Sequence, residues 1–355
     1  MHNKNQISAL LVRWYHKNKR DLPWRDTQDP YKIWISEIIL QQTRVNQGLD
    51  YYNRFIARFP DVTTLAMASE DEVLKYWQGL GYYSRARNLH KAAKQIVSSH
   101  QGKFPDNYHD IISLSGVGAY TAAAICSFAY NLPFAAVDGN VYRVLSRIFG
   151  IDTPIDSPAG IKTFQQIAQE ILDKNNPGIH NQAIMEFGAL QCVPASPNCE
   201  LCLLNNICIS FASNLINFLP VKTKKTKTRK RHFNYLFIKN KNYTYLQKRT
   251  GDDVWKNLYE FPLIEEDRVL EVNELFQHED FKKITKDIVS EITIKPLSLP
   301  VKHMLTHQQI FAQFFMIEIK EKNEFISQLE ETEITAIDKY PVSRLMDLFI
   351  KNHLG

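Results

Sequence analysis

Four of the five cysteines fall within seventeen positions, as Cys192-x6-Cys199-x2-Cys202-x5-Cys208. Thiolates crowded this way suit a soft metal, and a tetrahedral zinc and a four-thiolate iron-sulfur cluster both accept four of them. Disulfides are not expected, because Met1 to Gln6 leads into an amphipathic pattern (Ile7, Leu10, Leu11, Trp14) rather than the apolar core of a secretion signal. Cys126, alone in the apolar stretch Thr121 to Ala129, reads as a small core residue.

Two carboxylates are candidates for acid-base work. Glu37 sits among six apolar residues in Ile33-Trp34-Ile35-Ser36-Glu37-Ile38-Ile39-Leu40, where desolvation would keep a proton available for donation. Glu37, Gln41 and Arg44 also share a helical face, so taken alone the residue types favour a solvated, charge-paired stripe. Asp138, in Val137-Asp138-Gly139-Asn140, precedes a helical period and is by default an N-cap. The turn Leu114-Ser115-Gly116-Val117-Gly118-Ala119-Tyr120-Thr121 could press backbone N–H groups and a helix N-terminus against a phosphate, although Gly-x-Gly also fits an ordinary helix-helix turn. Gly79 to Arg87 mixes Tyr82 and Tyr83 with Arg85 and Arg87, a texture suited to wedging into a base stack and equally at home on any amphipathic helix.

The elements that must position these groups come in two textures. Residues before 222 repeat apolar positions at i, i+3 and i+4, as in Leu89, Ala92, Ala93, Ile96 and in Val141, Val144, Leu145, Ile148, and read as all-α. Residues after 231 read as α+β, with strands over Phe233 to Ile238, Tyr243 to Leu246 and Ile310 to Ile319 and a helix near Val269 to Phe276. Between them, Lys222 to Arg231 carries seven basic residues and no acid, a candidate linker. It accounts for the sign of the net charge: of the +5 over 355 residues, the segment before it contributes +2 and the segment after it −4. No apolar run reaches the roughly 18 residues of a membrane span. A cytoplasmic protein with no membrane partner is therefore expected.

Together these pieces resemble the helix-hairpin-helix DNA glycosylases that carry an iron-sulfur cluster, and among them the adenine-specific mismatch glycosylases of the MutY family. The likeness runs from about Leu22 to Pro220 and is carried by Leu22-Pro23-Trp24-Arg25, Trp34 to Val45, Gly79 to Arg87, Val137 to Val141, and Asn181-Gln182-Ala183 leading to Cys192. The resemblance implies an all-α helix-hairpin-helix glycosylase domain with an iron-sulfur cluster loop, followed by an α+β Nudix-like C-terminal domain. Residues 1–217 would be the catalytic region with the cluster loop at 192–208, 218–231 the basic linker, and 232–355 the recognition domain.

The activity implied is flipping of adenine out of a duplex and acid-assisted hydrolysis of its N-glycosidic bond, in base excision repair. By the resemblance Glu37 is the acid, Asp138 the carboxylate that stabilises the sugar cation, Tyr120 their hydrogen-bonding neighbour and Asn140 the residue that orients Asp138. Arg25 and Gln182 would hold the adenine, Gln42 and Tyr82 would fill or wedge the stack, and Gly116 and Gly118 would meet phosphate. Tyr120 stands where related glycosylase/lyases of the endonuclease III type place a Schiff-base lysine, so a monofunctional enzyme is implied. The cysteines match a 4Fe-4S cluster; between Cys192 and Cys208 the charged residue is Glu200. Ser115 stands where the family's hairpin usually has proline.

Trp255 to Pro262 gives the best local match to the family's C-terminal domain, without the glutamate-rich magnesium motif of pyrophosphate hydrolases. Thr306 and His307, in His303-Met304-Leu305-Thr306-His307, correspond to the 8-oxoguanine recognition loop, with leucine where the family has an aromatic residue. The implied partner is double-stranded DNA containing adenine opposite 8-oxoguanine or guanine, bound by a monomer that is nucleoid-associated when on DNA. The competing readings are an endonuclease III-like glycosylase/lyase, opposed by Tyr120 and by the C-terminal domain, and a non-catalytic iron-sulfur protein that binds DNA damage, opposed by the Glu37 and Asp138 pair.

Overall fold

The computed structural model describes residues 4–223, 228–288 and 292–354. The described residues form two compact units, those within 1–67 and 88–223 and those within 68–87 and 228–354.

The helices before the sheet are α1 (Lys4–Asn18), α2 (Pro30–Ile39), α3 (Val45–Arg58), α4 (Val62–Met67), α5 (Glu70–Trp77), α6 (Ser84–His100), α7 (Tyr108–Ser113), α8 (Ala119–Tyr130), α9 (Gly139–Phe149), α10 (Pro158–Ile171), α11 (Pro177–Leu190) and α12 (Ile209–Ala212). In the first unit, Leu11 and Tyr15 of α1, Val144 and Leu145 of α9, Phe164 of α10 and Phe187 of α11 share one buried core. Burying a ring such as Phe187 stabilises the unit by about 2 kcal/mol. A second contact sets α2 against α8, whose buried Ala122, Ala123 and Ala124 let the two helices approach closely.

The second unit is built on a mixed sheet of β1 (Arg229–Asn240), β2 (Tyr243–Lys248), β3 (Tyr259–Glu260), β4 (Leu263–Glu266), β5 (Thr293–Pro296), β6 (Val301–Met304), β7 (Gln308–Glu318) and β8 (Glu330–Glu333). Its centre is β1 parallel to β7, in register from Arg229 opposite Gln308 to Lys239 opposite Glu318. Residues 233–238 are all buried or nearly so, as a strand covered on both faces requires. On one face Leu236, Phe315 and Ile317 pack with Leu275 of α13 (Val272–Gln277) and Phe281 of α14 (Glu279–Ile284). On the other, Phe314 stacks on Phe349 of α16 (Arg344–His353) with ring centroids 3.8 Å apart; α15 (Glu324–Ser327) follows β7. The single helix expected near 269–276 is thus one of several: α14 and α15 are too short, at six and four residues, to show a helical period, whereas the amphipathic α16 carries one that the sequence reading missed.

Two boundaries differ from the sequence reading. Residues 68–87 belong with the sheet: Asp71 accepts hydrogen bonds from Lys248 Nζ at 2.5 Å and Tyr259 at 3.1 Å, and Gln78 donates to Asp347 at 3.2 Å. The linker expected at 218–231 is shorter at both ends. Ile155 N–H donates to the Val221 carbonyl and Thr223 N–H to Asp156, holding that end on the first unit. Arg229 to Arg231 open β1, and Arg231 is buried between Asp253 and Glu265 at 2.7 and 2.5 Å, so its charge is matched inside the protein. Residues 224–227 of the expected linker lie outside the described residues.

Candidate active site

A cleft of about 1330 Å³ opens in the first unit, large enough to receive a nucleotide. Its lining includes Arg25, Glu37, Gln42, Gly116, Gly118, Tyr120, Asp138, Asn140 and Gln182, which the sequence reading singled out from separate segments.

Glu37 arrives on α2, started by Pro30 at its first position and by Asp29, whose Oδ1 accepts the Tyr31 N–H at 2.9 Å. The helix stops at Ile39. Gln42 takes a left-handed conformation (φ 57°) and Arg44 is the cap of α3, so the charged stripe of Glu37, Gln41 and Arg44 does not form. Glu37 is 6% exposed, and burial pushes its pKa up to about 7. Against burial works the Tyr120 hydroxyl, which donates to Glu37 Oε2 at 2.5 Å; the nearby Asp138 adds to the rise and Arg25 opposes it.

Asp138 is the N-cap of α9 and also lines the cleft. Its Oδ1 caps α9 through the Val141 N–H at 2.8 Å, and its Oδ2 accepts from Asn140 Nδ2 at 2.7 Å. Burial raises its pKa and these donors oppose the rise. Asn140 Oδ1 in turn accepts from Arg143, which also donates to the carbonyls of Gly188 at 2.6 Å and Cys192 at 2.7 Å. The close approach of α9 and α11 requires Gly188, since a Cβ there would stand 2.7 Å from Asn140 Cβ and 3.0 Å from its carbonyl oxygen.

Along the opposite wall, Arg25 and Gln182 come with partners that the sequence reading missed. Tyr15 of α1 donates to Gln182 Oε1 at 2.5 Å, which turns the Gln182 amino group away from it. The Arg25 guanidinium lies over the Tyr15 ring, 5.5 Å from its centroid, and pairs with the buried Glu186 at 2.6 Å. In the hairpin, Gly116 has φ 74° and a Cβ there would meet Asn88 at 2.6 Å, whereas a Cβ on Gly118 would meet nothing within 4 Å. Gly118 caps α8 with open space before it, the geometry a phosphate needs. Ser115 N–H donates to Gln95 at 2.8 Å, a bond that a proline could not make.

Cys192, Cys199, Cys202 and Cys208 line one cavity. Among the described residues no three metal-binding side chains are grouped as a single ion requires; the four cysteines instead border a shared space. The loop's lack of a cation is made up by the buried Arg147 of α9, which reaches Cys192 Sγ at 3.4 Å and the carbonyls of Val193 and Pro194 at 2.8 and 3.0 Å. The Leu204 N–H points at Cys202 Sγ at 3.4 Å. Donors aimed at sulfur favour thiolates, so the residues fit a four-thiolate cluster.

Tyr82, Thr306 and His307 lie in the second unit. Tyr82 takes a left-handed conformation (φ 47°) and is 42% exposed. Its hydroxyl is hydrogen-bonded to that of Thr306. Thr306 and His307 form the exposed turn between β6 and β7, closed by the Leu305 N–H to the Gln308 carbonyl at 2.8 Å. Among the described residues, no helix is long and apolar enough to cross a membrane.

Comparison with known proteins agrees with this layout. Residues 35–179 match the HhH-GPD superfamily of base excision DNA repair proteins, and residues 234–352 match the NUDIX domain. The chain is 39% identical over 258 residues to the adenine DNA glycosylase of Buchnera aphidicola subsp. Acyrthosiphon pisum, covering 72% of this chain and 73% of that one. It is 41% identical over 207 residues to the adenine DNA glycosylase of Homo sapiens, covering 56% of this chain and 38% of that one. Among solved structures, a thermostable thymine-DNA glycosylase superposes with a TM-score of 0.56 at 28% identity, covering 59% of this chain and 97% of that one.

Proposed function

The chain belongs to the adenine DNA glycosylase family, and on that premise we propose that it removes adenine paired with 8-oxoguanine or guanine, leaving an abasic site without cutting the strand. It is a DNA N-glycosylase of base excision repair. The observation that carries the finer reading is one cleft with two buried carboxylates in unlike settings. Glu37 keeps its proton near neutral pH, and Asp138 accepts from two N–H donors. Environments that separate two acids in this way assign their roles.

Adenine leaves poorly as an anion. Glu37 therefore passes its proton to N7 as the bond from C1′ to N9 breaks, and the bonding pair departs with the neutral base. The sugar becomes cationic, and Asp138, held by Val141 and Asn140, stabilises it by charge. Water adds to C1′ and loses a proton, which completes hydrolysis. Tyr120 hydrogen-bonds Glu37, and a phenol forms no imine, so no strand-cutting step follows. The Gln182 amino group, turned away from Tyr15, and Arg25 would hold the flipped base, while Gln42, Gly116 and Gly118 would meet the DNA backbone and the gap in the stack.

The four cysteines would hold a 4Fe-4S cluster, which when bound cross-links the 192–208 loop and takes no part in the hydrolysis. Its support is the shared cavity and the Arg147 and Leu204 donors. Thr306 and His307, on their exposed turn, would read the 8-oxoguanine, with Tyr82 wedged beside it.

The test uses a duplex with adenine opposite 8-oxoguanine. Free adenine should appear, with strand breaks after alkali only; nicking without alkali, or a borohydride-trapped adduct in good yield, would overturn the monofunctional mechanism.

A further inference from the structure

Glu186 is 1% exposed on α11, one helical turn beyond Gln182. Its carboxylate accepts five hydrogen bonds from two arginines. Arg20 contributes its backbone N–H at 3.0 Å, Nε at 2.8 Å and Nη2 at 2.6 Å; Arg25 contributes Nη1 at 2.9 Å and Nη2 at 2.6 Å. Arg25 Nη1 donates as well to the Arg20 carbonyl at 2.9 Å. Both terminal amino groups of Arg25 are therefore engaged, and Tyr15 lies against the face of its guanidinium. Arg20, Arg25, Gln182 and Glu186 all line the cleft. A rigid fork held at both amino groups fixes the plane of the guanidinium.

We propose that Glu186 is a positioning residue for the adenine pocket, fixing the Arg25 guanidinium in place and offsetting its charge beside Glu37. The groups that act on Glu37 come from three elements: the neutral Tyr120 hydroxyl on α8, the Asp138 carboxylate at the start of α9, and the Arg25 guanidinium in the segment before α2. Arg25 favours the ionised form of Glu37, which cannot donate. Burial would keep Glu186 protonated, but the hydrogen bonds from Arg20 and Arg25 bring its pKa down to about 2, so at any working pH it stands as an anion against both arginines. Two guanidinium groups share one carboxylate, so the cluster is balanced to within a single charge.

The sign of the effect follows. Without the Glu186 charge, the arginines act on Glu37 unopposed, Glu37 loses its proton more readily, and the fall in rate on raising the pH comes earlier. For unit charges about 10 Å apart the displacement is on the order of half to one pH unit. Removing Arg20 instead leaves Glu186 and Arg25 in balance, takes one positive charge from the cluster, and the fall in rate comes later.

The experiment measures single-turnover adenine release from a duplex containing adenine opposite 8-oxoguanine, between about pH 5.5 and 9, a range that brackets the Glu37 titration. It uses the iron-loaded full chain and its Glu186→Gln, Glu186→Asp and Arg20→Gln variants. The basic limb should move down by about half to one unit in Glu186→Gln, stay in place in Glu186→Asp even as the rate drops, and move up in Arg20→Gln. Should Glu186→Gln fail to fold, the upward shift in Arg20→Gln still decides. A limb unmoved in Arg20→Gln, or moved equally in Gln and Asp variants at 186, would overturn the role given to Glu186. The inference rests on adenine excision, and the two fail separately: a wild-type protein that releases no adenine sinks the proposed function, whereas an active wild type with immobile limbs sinks only this.

Discussion

Glu37 and Glu260 form a matched pair, one in each unit. Both are buried, and each accepts a hydrogen bond from a tyrosine, Tyr120 at 2.5 Å and Tyr235 at 3.0 Å. Glu260 also meets Arg249 Nη1 at 2.7 and 3.0 Å and Gln247 at 3.3 Å, whereas among the described residues Tyr120 is the donor that Glu37 has. Burial raises the pKa of the Glu260 carboxyl too, but the Arg249 guanidinium opposes that rise and matches its charge inside the fold. A carboxylate buried with too few donors stays close to neutrality and can lend a proton. Burial alone therefore does not mark a catalytic acid; burial with an unfilled set of partners does.

The comparison breaks most visibly on rate. Glu37→Gln should slow adenine excision about a thousandfold, and Glu260→Gln should leave it within a few fold, both read in single-turnover assays. Stability should go the other way. The pKa of Glu37, raised to about 7, means that its folded state favours the neutral form, so whatever it contributes is present at low pH and lost as pH rises through that value. Replacing it with neutral Gln should therefore stabilise the protein by up to about 3 kcal/mol at about pH 8. Glu260→Gln takes the buried carboxylate from Arg249, which keeps Asp253 at 2.8 Å, and should cost about 2 kcal/mol. Melting curves of both variants under that mildly alkaline condition that shifted in the same direction would erase the distinction.

A smaller effect should follow from Arg143→Gln, which removes the donors to Asn140, Gly188 and Cys192. Excision should fall between about ten- and a hundredfold at unchanged iron content, because Asp138 loses its aim but not its charge. In the second unit, Thr306→Ala with His307→Ala should reduce the preference for 8-oxoguanine over guanine opposite adenine by about fivefold. Tyr82→Phe, which keeps the ring and removes the hydroxyl bonded to Thr306, should reproduce part of that loss. Changing Lys222, Lys224, Lys225 and Lys227 to Gln should flatten the salt dependence of DNA binding by about 0.9 in logarithmic slope for every phosphate no longer neutralised, with base choice intact.

What could be read from the sequence was local. The cysteine spacing, the Gly116 to Gly118 turn, the helix bearing Glu37 and the break before α9 each sit within a few residues and each is present in the structure, although the Glu37 helix ends at Ile39, short of Gln41 and Arg44. What could not be read was assembled across distance. Tyr15 meets Gln182 across 167 residues and Arg25 meets Glu186 across 161. Arg143 and Arg147 find their partners only where α11 and the cluster loop close over α9, far from them in sequence. One signal was available: Glu186 lies one turn after Gln182 in a mostly apolar helix, and an acid there needs a cation. The basic run misled for the opposite reason, since a string of like charges in sequence gave no hint that Arg231 turns inward to Asp253 and Glu265.

Asp138 begins a helix and, in the proposed function, would face the reacting sugar with the same carboxyl group. Asparagine starts helices as well as aspartate does, and the two differ by one nucleotide in the genetic code. A single transition could thus leave α9, the fold and the grip on DNA in place while silencing turnover. The resulting protein would sit on the lesion and shield it from a working copy. Heritable damage at this position would accordingly behave as interference rather than as simple absence.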